Sequence, residues 1–411
     1  MRSIPLIGEV TVRPPPGGGL AGARRELAAD PAVLRVAPER YRTLRYLPND
    51  PALTMRDPHA PSGDHYQWNL RREGLPAAWN RTRGRHAKLA IIDTGVDGDQ
   101  PDLKGRIVRA ADQTGNADCG GLLEPPCTPA RHDDFGHGTH VAGLACGQGN
   151  NRFGLAGAAF ACSLIDEKAS HSVEFRDTAI AESIVDATGS GADVINMSFG
   201  GPGRAPGIRA AIHRAFAHGV VLVAAARNDR DPNPITNGGF SSGSDQGVPA
   251  AYLQPEGSGP RIRSGRGLVV TAAQHNRRPA WFGPGHGTGI SLAAYGAASS
   301  ACEFRSDCGI FSTFPSNPTE IEEGNVIAGE PGCGNCRASF DGSDDFAYLE
   351  GTSMAAPQVA GAAALIRSER PGIANTKVIR VIKRTASGHA FGANLGWGIL
   401  NAGRALRRAT R

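Results

Sequence analysis

The chain has 411 residues, with 44 Lys and Arg against 39 Asp and Glu, 55 Gly and 29 Pro. That length supports one large domain or two modest ones. The 40% hydrophobic content excludes a disordered chain, and no apolar run approaches the roughly 18 residues of a membrane-spanning helix. The net charge of +5 reads as spread along the chain, without the clustering of a nucleic-acid binder.

Residues 1–47 read as a small unit of their own. Gly8–Arg13 predicts a short strand, broken by Pro14–Gly19; Leu20–Ala29 predicts a helix and Val33–Val36 a second strand. Leu47–Gly63 is rich in Pro, Asp and Asn and reads as an exposed linker, so residues 48–67 form a linker and arm ahead of a domain over 68–411. From Trp68 the pattern alternates. Lys88–Ile92, Ala192–Ser198, Val220–Ala225 and Leu268–Ala273 are short apolar runs of the kind that form buried parallel strands. Helical stretches cover Thr139–Cys146, Asp177–Thr188 and Ile208–His218, and later Met354–Ser368 and Thr376–Thr385. Such alternation predicts an α/β sandwich with a central, mostly parallel sheet.

Eight cysteines fall into close neighbours: Cys119 and Cys127, Cys146 and Cys162, Cys302 and Cys308, Cys333 and Cys336. An even count in local pairs suits disulfides formed in an oxidising compartment. A zinc site from Cys302, Cys308, Cys333 and Cys336 is the competing reading, although no His lies among them. Cys333 and Cys336 also have redox-pair spacing, but in a Gly-rich loop rather than at a helix start. Met1–Val10 has no apolar core of signal-peptide length, so secretion would require a start further upstream.

Three segments carry groups suited to catalysis. Ile91-Ile92-Asp93-Thr94-Gly95 ends an apolar strand in an acid; His137-Gly138-Thr139-His140-Val141-Ala142-Gly143 opens a small-residue helix on a His; Gly351-Thr352-Ser353-Met354-Ala355-Ala356-Pro357 opens another on a Ser. Singly, each reads as a cap or a turn. Together they place acid, imidazole and hydroxyl at element termini, where a parallel sheet gathers functional groups. A serine hydroxyl needs an imidazole to take its proton, and the imidazole needs an acid to fix its tautomer. Asp, His, Ser is one of the three convergent orders of that triad.

These segments resemble the three signatures of the subtilisin-like serine peptidases (subtilases), and the resemblance runs from about Trp68 to Ala405. It implies a three-layer subtilisin-like sandwich with Asp93 as orienting acid, His137 as general base and then acid, and Ser353 as nucleophile. His286-Gly287-Thr288 repeats the His tripeptide but lacks the helical run after it, and reads as a loop. His140 reads as packed beneath the site and Asp97 as structural. Asn228, directly after a buried strand, reads alone as a turn cap; the resemblance implies an oxyanion donor beside the Ser353 N–H. The family usually has Gly before this Asn, whereas Arg227 stands here; such a cation either swings out to solvent or enters the primary specificity pocket, and the expectation is that it lines the pocket and disfavours basic side chains before the scissile bond. Ser198-Phe199-Gly200-Gly201 resembles the cleft-lining segment, whose backbone pairs with an extended peptide.

The resemblance further implies a structural calcium ion held by Asp102, Asn151 and Gln67, with no cofactor needed for the chemistry. It implies that residues 1–47 are a short pro-segment, cleaved within Leu44–Tyr66. The expectation is a secreted or cell-envelope, monomeric serine endopeptidase that takes extended polypeptides, with no nucleic-acid partner and no membrane span. A catalytically silent binding protein, and a peptide ligase or acyl transferase, are the alternatives on the same fold.

Overall fold

Short runs of β-branched and small apolar residues, bounded by turn formers, build a seven-stranded sheet at the centre of the molecule. The computed structural model describes residues 2–14, 19–38, 46–115, 131–228, 247–284, 287–299, 308–325 and 330–411. Contacts divide the chain into two units, Met1–Arg45 and Tyr46–Arg411. In the first, β1 (Arg2–Ile4) pairs antiparallel with β2 (Glu9–Thr11), and α1 (Leu20–Ala28) follows. The strand expected at Val33–Val36 does not form; those residues are irregular and pair with no strand among the described residues, and strand geometry needs a hydrogen-bonded partner.

In the second unit α2 (Trp68–Arg72) and α3 (Leu75–Trp79) precede β3 (Lys88–Asp93), β4 (Ile107–Asp112), α4 (His137–Cys146), β5 (Ser163–Lys168) and α5 (Asp177–Gly189). There follow β6 (Val194–Met197), α6 (Pro206–Ala217), β7 (Val221–Ala225), α7 (Ala250–Leu253), β8 (Gly267–Gln274) and β9 (Leu292–Ala297). The rest comprises β10 (Ile310–Thr313), α8 (Glu320–Glu323), β11 (Gly324–Asn325), β12 (Glu330–Pro331), β13 (Arg337–Phe340), β14 (Ser343–Leu349), α9 (Thr352–Glu369), α10 (Asn375–Thr385) and α11 (Ala402–Ala409).

The main sheet is parallel throughout, in the order β4-β5-β3-β6-β7-β8-β9. Strand residues point alternately to its two faces. Leu89 and Ile91 join one core with residues of α4 and α9, while Ala90 and Ile92 join a second with Ile180 and Ile184 of α5 and Ile208 and Ile212 of α6. Helices thus cover both faces, giving three layers. A smaller antiparallel sheet, β10-β14-β13, lies alongside and supplies Phe311, Phe340, Phe346 and Tyr348 to a third, aromatic cluster.

The segment expected as an exposed linker alternates between exposed and buried residues. Asp50, Ala52 and Leu53 are fully enclosed, and Leu53 and Ala60 belong to the main core. Its Pro, Asp and Asn content encodes turns. Exposure is a separate matter, set by the surface the turns pack on.

Candidate active site

The strand order reverses at β3, which has β5 on one side and β6 on the other. Such a switch point opens a crevice at the carboxyl ends of the strands. Asp93 is the last residue of β3, His137 the first of α4, and Ser353 sits in the first turn of α9. His137 Nδ1 lies 2.7 Å from Asp93 Oδ1, and Asp93 is fully buried. The same oxygen accepts the Thr94 N–H at 2.9 Å. The first turn of α4 presses so closely on the β3 exit that a Cβ at Gly138 would run into the Gly95 carbonyl oxygen; only glycine admits that approach.

Asp133, not singled out from the sequence, ties these parts together. Its Oδ1 accepts the Gly136 N–H and the Thr94 hydroxyl, each at 2.8 Å. Its Oδ2 accepts the Thr139 N–H at 2.8 Å and the Thr139 hydroxyl at 2.7 Å. Burial pushes this carboxyl above its ordinary range, against the four hydrogen bonds. The readable signal was an acid shortly before a predicted helix start, where orphan N–H groups need acceptors.

Burial pulls the His137 imidazole down, but the charge and hydrogen bond of Asp93, with the charge of Asp133, outweigh it and hold the group above its ordinary value of 6.5. A base must be neutral to accept a proton, so a reaction that uses His137 as its base loses rate progressively as pH falls through this pKa. The acid limb of the kcat/KM–pH profile is therefore expected to have its midpoint above 6.5. A midpoint at or below that value would show that Asp93 and Asp133 do not outweigh the burial of the imidazole.

Ser353 and Ser198 are locked reciprocally. The Ser353 hydroxyl donates to the Ser198 carbonyl at 2.6 Å, and the Ser198 hydroxyl donates to the Ser353 carbonyl at 2.9 Å. The nucleophile candidate is thus turned to the β6 exit in this structure, a χ1 rotation away from its other staggered positions. Asn228 Oδ1 accepts both the Thr352 N–H and the Thr352 hydroxyl at 3.1 Å. That fixes the amide's orientation, because a backbone N–H must face its oxygen. Its Nδ2 then lies over Gly351, 3.4 Å from where a Cβ there would stand.

Arg227 has a left-handed backbone, φ 78°, and a buried side chain. Its Cγ and Cδ lie over Gly200 and its Cδ and Nη1 over Gly247, so close that a Cβ at either glycine would collide. The side chain therefore fills the space between these two segments. Phe199 stacks on Phe175 with ring centroids 4.4 Å apart. Gly201 exchanges both backbone hydrogen bonds with Val248, at 3.0 and 2.8 Å, which removes it from the backbone groups expected to pair with a peptide.

The three side chains expected to bind calcium are spent on other partners. Asn151 Nδ2 donates to Asp102 Oδ1 at 2.8 Å, and Asp102 Oδ2 accepts the Leu155 N–H at 2.8 Å. Gln67 is paired at both ends with the Ala156 backbone, at 2.7 and 3.0 Å. A cation needs oxygens converging on one point, and an amide N–H aimed at the carboxylate is the opposite arrangement. As placed, these residues do not fit calcium, and among the described residues no group of three or more His, Cys, Asp or Glu is arranged to hold a metal.

Cys146 is bonded to Cys162 and Cys333 to Cys336. Cys308 is disulfide-bonded as well, so the zinc reading is set aside. Cys119, Cys127, Cys302 and His286 lie outside the described residues. His140 is buried with Nε2 3.0 Å from the Ile310 carbonyl; burial drives its pKa down to about 3, which leaves a neutral packing residue. Asp97 Oδ2 accepts the Ser316 N–H and hydroxyl at 3.0 and 3.1 Å, a structural tie.

A doubly covered parallel sheet, with acid, imidazole and hydroxyl at its switch point, defines a three-layer α/β protein whose crevice suits acyl transfer. The sequence model of the Subtilase family matches residues 84–398, well over half of the chain; the chain belongs to that family and is a subtilisin-like serine endopeptidase. Similar proteins include Thermitase of Thermoactinomyces vulgaris, 29% identical over 342 residues, with 83% of this chain and 92% of that protein covered. Subtilisin Savinase of Lederbergia lenta is 28% identical over 346 residues, covering 83% of this chain and 98% of the relative. The solved structure of a protease from Pseudoalteromonas arctica superposes with a TM-score of 0.66 at 26% identity, covering 88% of this chain and 99% of the other.

Proposed function

We propose that this endopeptidase is exported and cuts extended polypeptides through Asp93, His137 and Ser353, and that it is made as a precursor whose first 47 residues form a short pro-segment. The observation that carries the triad is the 2.7 Å Asp93–His137 pair at the end of β3. The Ser353 hydroxyl oxygen attacks the scissile carbonyl while His137 Nε2 takes its proton, and Asp93 holds the imidazolium. The oxyanion is met by the Asn228 Nδ2–H and the Ser353 N–H. Collapse breaks the C–N bond, with the proton passed from His137 to the leaving amine. Water then attacks the acyl-enzyme, giving its proton to His137 and releasing the acid and the free serine. The disulfides support an oxidising compartment and hence export, and the separate N-terminal unit supports a detachable pro-segment.

Substrate selection follows from Arg227. Its buried stem and cation lie between Gly200 and Gly247, and a second cation brought to the same place from a substrate would meet like-charge repulsion. Across peptides varied only before the scissile bond, kcat/KM for Lys or Arg is expected at least about tenfold below that for Leu or Ala. The Arg227→Gly variant, which suits the left-handed backbone, is expected to narrow that gap. Equal or better cleavage after basic residues by the wild type would remove Arg227 from the pocket. Insensitivity of all hydrolysis to a sulfonyl fluoride would instead remove the serine mechanism.

A further inference from the structure

The charge that reads as evenly spread is strongly segregated. Residues 371–411 contain eight Lys and Arg and no Asp or Glu; the preceding 370 residues carry the other 36 Lys and Arg against all 39 Asp and Glu. Spacing along the two last helices then brings the cations together. Lys377, Arg380 and Arg384 fall on one face of α10, three and four residues apart. The opposite face buries Val378, Ile379 and Ile382. Helix α11 buries Ala405, Leu406 and Ala409 and leaves Arg404, Arg407 and Arg408 exposed. Lys383 alone turns inward, donating to the Ser264 carbonyl at 2.8 Å and to Gln254 Oε1.

The two outward faces meet at a groove of about 410 Å³ lined by Lys377, Arg380, Val381, Arg384, Arg408 and Arg411. The acid nearest in sequence, Glu369, is engaged with Arg81 at 2.8 Å. The groove is remote from the cleft: Ser353 opens α9 and Glu369 ends it, a separation of about 24 Å at the helical rise, and α10 follows beyond.

We propose that this groove binds a linear polymer of repeated phosphate groups. Four guanidinium forks and an ammonium match a run of phosphates, each fork able to take two oxygens of one group. A concave seam suits a single strand better than a flat sheet of headgroups. A membrane-surface site would also need apolar anchors, and none of the exposed large hydrophobic side chains falls in residues 371–411.

The test is binding of fluorescently labelled long-chain inorganic polyphosphate to the full chain, with inorganic orthophosphate and phosphatidylglycerol vesicles at equal phosphate concentration as comparators. The wild type is expected to bind polyphosphate, with affinity falling on the order of a hundredfold between about 50 and 200 mM salt. The triple variant R380E/R384E/R408E should bind at least about tenfold more weakly at the lower salt. The milder R380Q/R384Q/R408Q should lose less, with an unchanged Tm showing that the fold persists. Peptide hydrolysis is expected to be unaffected in both. Three results each overturn the proposal: no polyphosphate binding at low salt, equal binding by wild type and an intact glutamine variant, or vesicles and orthophosphate bound as well as the polymer.

Discussion

Ser353→Ala is expected to abolish covalent labelling by a fluorophosphonate probe and to lower kcat for peptide hydrolysis by about 10⁴- to 10⁶-fold. The size follows from the reaction's plan, because without the hydroxyl no acyl-enzyme forms and water must be activated in its place. The fold should survive. The side chain's one donated bond, to the Ser198 carbonyl, contributes about 1 kcal/mol, and alanine is a good helix former at this position in α9. The reciprocal bond from the Ser198 hydroxyl to the residue-353 carbonyl is a backbone contact and remains. Labelling or turnover that persists in Ser353→Ala, with a normal Tm, would move the nucleophile elsewhere. A wild type that is never labelled would favour a silent binding protein on the same fold.

The second large effect is expected at Asn228. Asn228→Ala should lower kcat by about 10²- to 10³-fold while leaving KM nearly unchanged. Its amide is to meet an oxygen that gains charge only in the transition state, so ground-state binding loses little. The alanine also removes Oδ1, which holds the Thr352 N–H and hydroxyl at 3.1 Å, and so loosens the start of α9. Asn228→Asp separates the two roles. It keeps an acceptor for Thr352 but replaces the Nδ2 donor by a second oxygen, so its Tm should stay near wild type while kcat falls at least as far. Full activity in Asn228→Asp would exclude the oxyanion role, and a drop in Tm matching the loss of rate would make Asn228 merely structural.

The three segments around Asp93, His137 and Ser353 were legible because each pairs a reactive side chain with small neighbours at an element end. Asp133 was not, because its tie to the β3 exit is tertiary: Gly136 and Thr139 are near it in sequence, but the Thr94 hydroxyl it receives is 39 residues away. β5 escaped detection because Asp166, Glu167 and Lys168 stand in it and are nonetheless buried; pattern reading treats such residues as surface. β9 escaped because Leu292–Ala297 is alanine-rich and without β-branched residues, which resembles a helix more than a strand. The burial of Asp50, Ala52, Leu53 and Ala60 was hidden for a related reason, since turn chemistry is local and burial is not.

By itself, the sequence determined where most of the strands and helices of the sheet layer lie, that the sheet is parallel, and which three residue types stand at its ends. Those are short-range properties, written in apolar runs, helix starts and glycines. Only the tertiary structure decided that Asp93 and His137 meet across 44 residues at 2.7 Å, and that Arg227 lies between Gly200 and Gly247. It also decided that Asp102 and Asn151 bond to each other and that five cations of α10, α11 and the chain end share one groove. Each of these depends on which surfaces a crossover brings face to face, and such pairings are fixed by burial of the whole core rather than by the residues that end up in contact.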